Sequence, residues 1–322
     1  MIYAALIILT ILFALIMGGS NFSASFAAVC GSKIISQNKA QILFIICVIM
    51  GAILVGKPVA QTIGKNIIPT DFLTPVSVII IFISVTISLY AANLLRIPQS
   101  TSMVTVCAVV GIGIYFKSIY IKTLLYVGIF WIVFPIVAYI LTYGIGMLVY
   151  PPRKNNLWIY EKLINHSKRL KYFVLFTSCY NAFSVGTNNV ANAVGPLSGA
   201  GIIAPIAGLA FVAPVFGLGS VFFIQSLQTV SEKIVPLGLL TATIISFVTG
   251  SLMIIASVCG VPLSFVMINL ASVFAICSLK DGHLCTVKHP ITKKASISWL
   301  LTPLIALGLS FSITAVYYAV VK

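Results

Sequence analysis

Ten apolar stretches divide into two sets of five, and the second set echoes the first at a nearly constant distance along the chain. The first set covers about 1–17 running on to 32, then 41–57, 74–95, 98–116 and 119–149; the second covers about 172–194, 202–224, 238–259, 262–279 and 295–320. Most are close to the roughly 20 residues a helix needs to cross a bilayer. Gln61-Thr62-Ile63-x3-Ile67-Ile68-Pro69 matches Gln228-Thr229-Val230-x3-Ile234-Val235-Pro236 at an offset of 167, and Trp131-x3-Pro135 matches Trp299-x3-Pro303 at 168. Ile97-Pro98-Gln99-Ser100 pairs with Val261-Pro262-Leu263-Ser264 at 164. Ordered matches at one spacing mark an internal duplication. An odd number of segments per copy forces the second copy to insert upside down.

The expected fold is therefore an all-α polytopic membrane protein made of two inverted repeats. The first repeat covers 1–149, a basic linker 150–171 and the second repeat 172–322. The stretches 98–116 and 262–279 are Ser-rich and begin at proline, which fits either a full span or a re-entrant hairpin. Met1 to Met17 lacks the basic start of a signal peptide and reads as a mature helix.

Composition agrees. The chain has 322 residues, 60% of them hydrophobic and 7% charged, with a mean hydropathy of +1.16. A soluble globule carries about a quarter charged residues. The net charge of +15 would suggest nucleic acid in a soluble protein, but the Lys and Arg lie mainly between apolar stretches, where they orient a membrane protein. The densest basic run, within 150–171, marks the cytoplasmic loop and puts both termini outside. The exterior loops near 195–204 and 260 then contain no Lys or Arg, whereas Lys57, Lys65, Lys117 and Lys122 fall against the rule. The seven cysteines show no paired spacing, and His283-x-Cys285-x3-His289 reads as a solvated loop rather than a metal site.

Polar residues inside such a chain are costly and usually functional. The main group is Gly186-Thr187-Asn188-Asn189-Val190-Ala191-Asn192-Ala193-Val194-Gly195-Pro196-Leu197. A weaker copy, Gly18-Gly19-Ser20-Asn21-Phe22-Ser23-Ala24-Ser25, stands 168 residues earlier. The only acids are Asp71, Glu161, Glu232 and Asp281, near span ends or in loops, and the three histidines are all in loops. Neither a carboxylate dyad nor a Ser-His-Asp arrangement can be assembled at depth, so an enzyme is not expected.

Ser, Thr and Asn remain, with Gly and Pro breaks at Gly18-Gly19, Gly186, Gly195-Pro196, Pro98 and Pro262. Helix ends at such breaks offer N–H groups and the positive end of the dipole to an anion. The candidate binding residues are Ser20, Asn21, Ser100, Thr101, Ser102, Asn188, Asn189, Asn192 and Ser264.

Gly186-Thr187-Asn188-Asn189-Val190-Ala191-Asn192-Ala193 resembles the Gly-Ala-Asn-Asp-x-Ala-Asn-Ala signature carried twice by the inorganic phosphate transporter family. Gly18 to Ser25 looks like its first copy, and Pro98-Gln99-Ser100-Thr101-Ser102 like its Pro-Val-Ser-Thr-Thr element. Pro262-Leu263-Ser264 is similar to the second copy of that element. The resemblance implies transport of an inorganic oxyanion, and the architecture is compatible with a homodimer.

The family's aspartates are replaced here by Asn21 and Asn189, a pattern that looks like a sulfate-permease branch. Phosphate near neutral pH keeps a proton that a carboxylate can accept, whereas sulfate presents acceptors only and suits an amide N–H. Importing a dianion against an inside-negative potential costs about 4.6 kcal/mol per 100 mV, so uptake needs a coupled cation, Na+ or H+. Asn21, Asn188 and Asn189, with backbone carbonyls, are where a sodium ion is expected. A phosphate carrier and a passive anion channel are the alternatives.

Overall fold

The computed structural model describes residues 2–94, 99–149, 154, 156–158, 167–222, 238–283, 286 and 290–321. The expected break at Pro98, the Gln228-to-Pro236 match, Glu161, Glu232 and most of the 150–171 linker lie outside the described residues.

Twelve α-helices are described. The first half holds α1 (Ile2–Gly31), α2 (Gln37–Val55), α3 (Lys57–Lys65), α4 (Pro75–Leu94), α5 (Thr101–Tyr115) and α6 (Ile121–Val149). The second holds α7 (Ser167–Asn189), α8 (Ala191–Gly199), α9 (Pro205–Phe222), α10 (Leu239–Val258), α11 (Phe265–Asp281) and α12 (Pro290–Val321). α7 starts inside the segment read as linker.

Among the described residues seven helices, α1, α2, α4, α6, α9, α10 and α12, are long and apolar enough to cross a membrane. α5 has 15 residues and α11 has 17. At 1.5 Å per residue they reach about 22 and 25 Å, short of the roughly 30 Å hydrocarbon core. The two stretches whose crossing was open in the sequence are thus the short ones.

Polarity runs inside out. On α6, Leu125, Ile129, Ile132, Ile136 and Ile140 are exposed, while Asn21, Asn181, Asn188, Asn189 and Asn192 are buried. With lipid rather than water outside, apolar side chains face outward and polar ones need partners within the protein.

The helices of the two halves interleave. α1 packs against α9 and α2 against α7; α5 packs against α12 and α6 against α11. Glycines set two of these crossings. A Cβ on Gly18 would overlap the carbonyl oxygen of Phe216 in α9, and one on Gly219 the carbonyl of Leu15 in α1. A Cβ on Gly51 would likewise overlap the carbonyl of Phe183 in α7, and one on Gly186 that of Val48 in α2.

Gly18 and Gly186 are 168 residues apart, and so are Gly51 and Gly219. This corrects the sequence reading: Gly18-Gly19 and Gly186 are not helix breaks, since α1 and α7 run through them. Glycine here lets two backbones touch, which is how helices pack tightly in lipid. Gly195-Pro196 also lies within a helix, α8, whose glycines Gly195 and Gly199 receive α3 at Ile63 and Gly64.

Two interruptions do fall at the centre. One is at Val190, where α7 gives way to α8 although Val190 itself keeps helical angles, φ −61° and ψ −33°. The other is the segment 259–264 after α10, turned by Gly260 at φ +69°.

Candidate functional site

α5 and α11 begin in the same way. Ser100 caps α5 by accepting from the Met103 backbone N–H at 3.2 Å, and Ser264 caps α11 by accepting from Met267 N–H at 3.2 Å. Each cap satisfies one of the free N–H groups of a helix start. The two starts meet: Ser102, in the first turn of α5, donates its hydroxyl to the Leu263 carbonyl at 2.9 Å. Two positive dipole ends therefore converge on one region without a lysine among the residues that join them.

Asn192, on α8, joins the same point by donating from Nδ2 to Ser102 Oγ at 3.0 Å. Asn188, at the end of α7, is fully used. Its Nδ2 donates to Ser257 Oγ at 3.0 Å and to the Val261 carbonyl at 2.9 Å, and its Oδ1 accepts from Leu263 N–H at 2.9 Å. Asn188 thus fastens the irregular 259–264 segment to α7, supplying bonds its backbone cannot make to itself. Ser257 Oγ also donates to the Met253 carbonyl and meets Thr187 Oγ1 at 2.8 Å.

The two halves touch through their corresponding amides. Asn189 Nδ2 donates to Asn21 Oδ1 at 2.8 Å, and Asn21 Nδ2 donates to the Met17 carbonyl at 2.7 Å. These bonds fix which end of each amide is which. Met17 offers only an acceptor, so Asn21 turns its nitrogen there and its oxygen to Asn189. Leu263 takes the Ser102 proton, so Asn192 presents nitrogen to Ser102. As a result Asn189 Oδ1 and Asn192 Oδ1 are buried oxygens without a hydrogen-bond partner. Pro196, having no N–H, also leaves the Asn192 carbonyl without its usual helical donor. Leaving a buried acceptor unpaired costs about 1–3 kcal/mol, so these oxygens call for a cation or a donor.

Of the residues proposed from sequence, the structure joins Asn21, Ser102, Asn188, Asn189 and Asn192 in two adjoining networks, with Ser100 and Ser264 at the helix starts. Thr101 is half-buried at the start of α5. Ser20 stands apart, exposed, with its hydroxyl bonded back to the Met17 carbonyl at 2.9 Å. The sequence reading missed Ser257. A lone serine in Ala256-Ser257-Val258 gives no local signal, and its role depends on Thr187 and Asn188, which come from another helix.

A helical membrane protein whose halves meet through buried amides and hydroxyls has the build of a membrane transporter. Comparison settles the family: the sequence model of the phosphate transporter family matches residues 17–310, and the chain belongs to that family. It is a multi-pass membrane transporter, not an enzyme. It is 32% identical to the sulfate permease CysP of Bacillus subtilis over 97% of this chain and 87% of that protein. It is 25% identical to a putative phosphate permease of Methanocaldococcus jannaschii over 92% of each. The solved structure of a sodium-dependent phosphate transporter matches with a TM-score of 0.84 at 21% identity, covering 99% of both chains, a likeness that establishes the fold.

Proposed function

We propose that this inorganic anion transporter imports sulfate, by alternating access between two inverted halves, in symport with sodium. The observation that carries the reading is the Asn189 to Asn21 hydrogen bond at 2.8 Å. The two positions where the family signature has aspartates form a neutral amide pair, with no fixed carboxylate to repel an oxyanion that has no proton to share. The similarity to a sulfate permease points the same way. The converging starts of α5 and α11 supply positive dipole ends for the anion, with the second amide hydrogens of Asn189 and Asn192 as donors.

Sodium is favoured over a proton as the coupling ion because the unpaired groups, Asn189 Oδ1 and Asn192 Oδ1, are neutral oxygens that cannot be protonated near neutral pH but can ligate a hard cation. The inverted arrangement is supported by the crossed helix pairs, by the glycine pairs 168 residues apart and by the matching caps Ser100 and Ser264. The basic 150–171 segment supports a cytoplasmic linker with both termini outside.

Uptake of labelled sulfate into proteoliposomes tests the reading, with phosphate, chromate and thiosulfate as competitors and Na+ exchanged for K+. Sulfate uptake that requires external Na+ and yields to chromate is expected. Phosphate uptake indifferent to excess sulfate would overturn it in favour of a phosphate carrier, the substrate named for the more distant relatives. Current independent of any cation gradient would instead identify a passive channel.

A further inference from the structure

Three consecutive carbonyls in the irregular segment 259–264 are bonded by three different helices. The Val261 carbonyl accepts from Asn188 of α7 at 2.9 Å, that of Pro262 from the Trp131 indole N–H of α6 at 2.8 Å, and that of Leu263 from Ser102 of α5 at 2.9 Å. Asn188 and Ser102 belong to the amide networks already described. Trp131 stands outside them; in the sequence it marks only one copy of the repeated Trp-x3-Pro motif.

Its own helix holds Trp131 at this height. α6 runs beside α11 as far as Gly146, where a Cβ would lie 2.5 Å from Leu279 Cδ1. From Trp131 to Gly146 is 15 residues and from Pro262 to Leu279 is 17, so the two helices are parallel and in step. Pro135, inside α6, offers no N–H to the Trp131 carbonyl four residues earlier, so the turn that carries the indole has one backbone bond fewer. Trp299-x3-Pro303 repeats the pattern on α12. There the indole Nε1 is buried with no partner among the described residues, and Pro98, the sequence counterpart of Pro262, lies outside them.

What these bonds fix is the direction of the peptide units at the start of α11. The planar unit joining Pro262 to Leu263 is held at both ends, its oxygen by Trp131 and its N–H by Asn188 Oδ1. Ser102 holds the oxygen of the next unit. The Pro262 carbonyl lies four residues before the Val266 N–H, so it is the acceptor that a further helical turn would use. With that carbonyl bonded to Trp131 and Met267 N–H taken by Ser264 Oγ, the Phe265 and Val266 N–H groups are left as first-turn donors without an acceptor in their own helix. Asn192, 0% exposed and bonded to Ser102 beside the same helix start, keeps a second amide hydrogen and an unpartnered Oδ1.

We infer that Trp131 is a positioning residue for the transported anion: by holding the Pro262 carbonyl on the α6 side it keeps the first-turn N–H groups of α11 free for the substrate. Trp131 itself does not touch the anion. A Pro262 carbonyl released from the indole can turn toward the site, where its negative end repels an oxyanion, or can take the Val266 N–H and remove a donor. Either way anion binding weakens and cation binding does not. The inference rests on the anion-transport reading and names what sets the geometry of the donors; it does not depend on which oxyanion is carried.

The test replaces Trp131 in the full-length protein by benzothienylalanine, which keeps the shape of the indole and puts sulfur in place of the N–H. In proteoliposomes the KM for sulfate should rise roughly five- to tenfold, the worth of about one hydrogen bond. Vmax should stay the same, and so should the sodium concentration that gives half-maximal uptake at saturating sulfate. Trp131→Phe should match the benzothienyl protein, and azatryptophan, which keeps the N–H, should restore the KM. An unchanged KM in monodisperse benzothienyl protein overturns the role, and a lowered melting temperature with that unchanged KM makes Trp131 a packing residue. If the unsubstituted protein carries phosphate and not sulfate, the substrate reading fails, while a raised KM for phosphate in the benzothienyl protein still supports the positioning role.

Discussion

The two motif copies stand on corresponding helices, α1 and α7, yet they do different work. α1 is one helix of 30 residues, and around Asn21 its surroundings are aromatic: Phe22 packs on Phe44 at 5.4 Å and on Phe26 at 5.7 Å. α7 stops at Asn189, and the chain continues through Val190 into α8 carrying Asn192. The first copy contributes one amide to a site that the second copy builds. The proposed duplication gives two equivalent frames, with the polar groups concentrated in one of them. A second-half lesion should therefore cost transport, and its first-half counterpart should cost mainly packing.

The glycine crossings, where the halves are most alike, should give the largest effect. Gly18→Leu and Gly186→Leu each force a side chain into a facing backbone carbonyl, and both should abolish folded protein in size-exclusion profiles. Gly31→Leu, with nothing within 4 Å of its Cβ, should not. A well-folded Gly186→Leu would break the equivalence of the two crossings.

Next comes Asn189→Ala, which removes the amide bridge and one of the two open oxygens. Sulfate uptake should fall to background while the protein stays folded, and normal uptake would remove Asn189 from the site. Asn188→Ala should act on stability instead. Three hydrogen bonds go and Leu263 N–H is left buried, a loss of about 1–3 kcal/mol or more, visible as a lower melting temperature in detergent. Ser20→Ala, the counterpart of Asn188 in the first copy, should change neither uptake nor melting, because its hydroxyl is exposed and bonded only to its own helix. A transport defect there would restore symmetry to the two copies.

What could be read from the sequence follows the same division. The proposed duplication rests on motifs with several residues, such as Gln61-Thr62-Ile63 and Trp131-x3-Pro135, that match between the halves of the sequence. The amides of the second copy stood out because Asn in an apolar chain is costly. Gly51 and Gly219 were not visible: a single glycine in an apolar stretch has no meaning until the facing backbone is known. Gly18 and Gly186 were misread for a related reason, since glycine serves a helix break and a close crossing equally well and tertiary packing decides between them.

The crossed packing also bears on how the chain is made. When α1 emerges from the ribosome, the helix whose carbonyl it must meet at Gly18 is still about 200 residues from being synthesised, and α2 likewise waits for α7. The first repeat must sit in the bilayer with its glycine faces unpaired, exposed to lipid and to quality control, until the second repeat inserts between its helices. Neither repeat alone is a finished object, and the closing of the Gly18 and Gly51 crossings is the point in biogenesis at which the protein becomes committed to its fold.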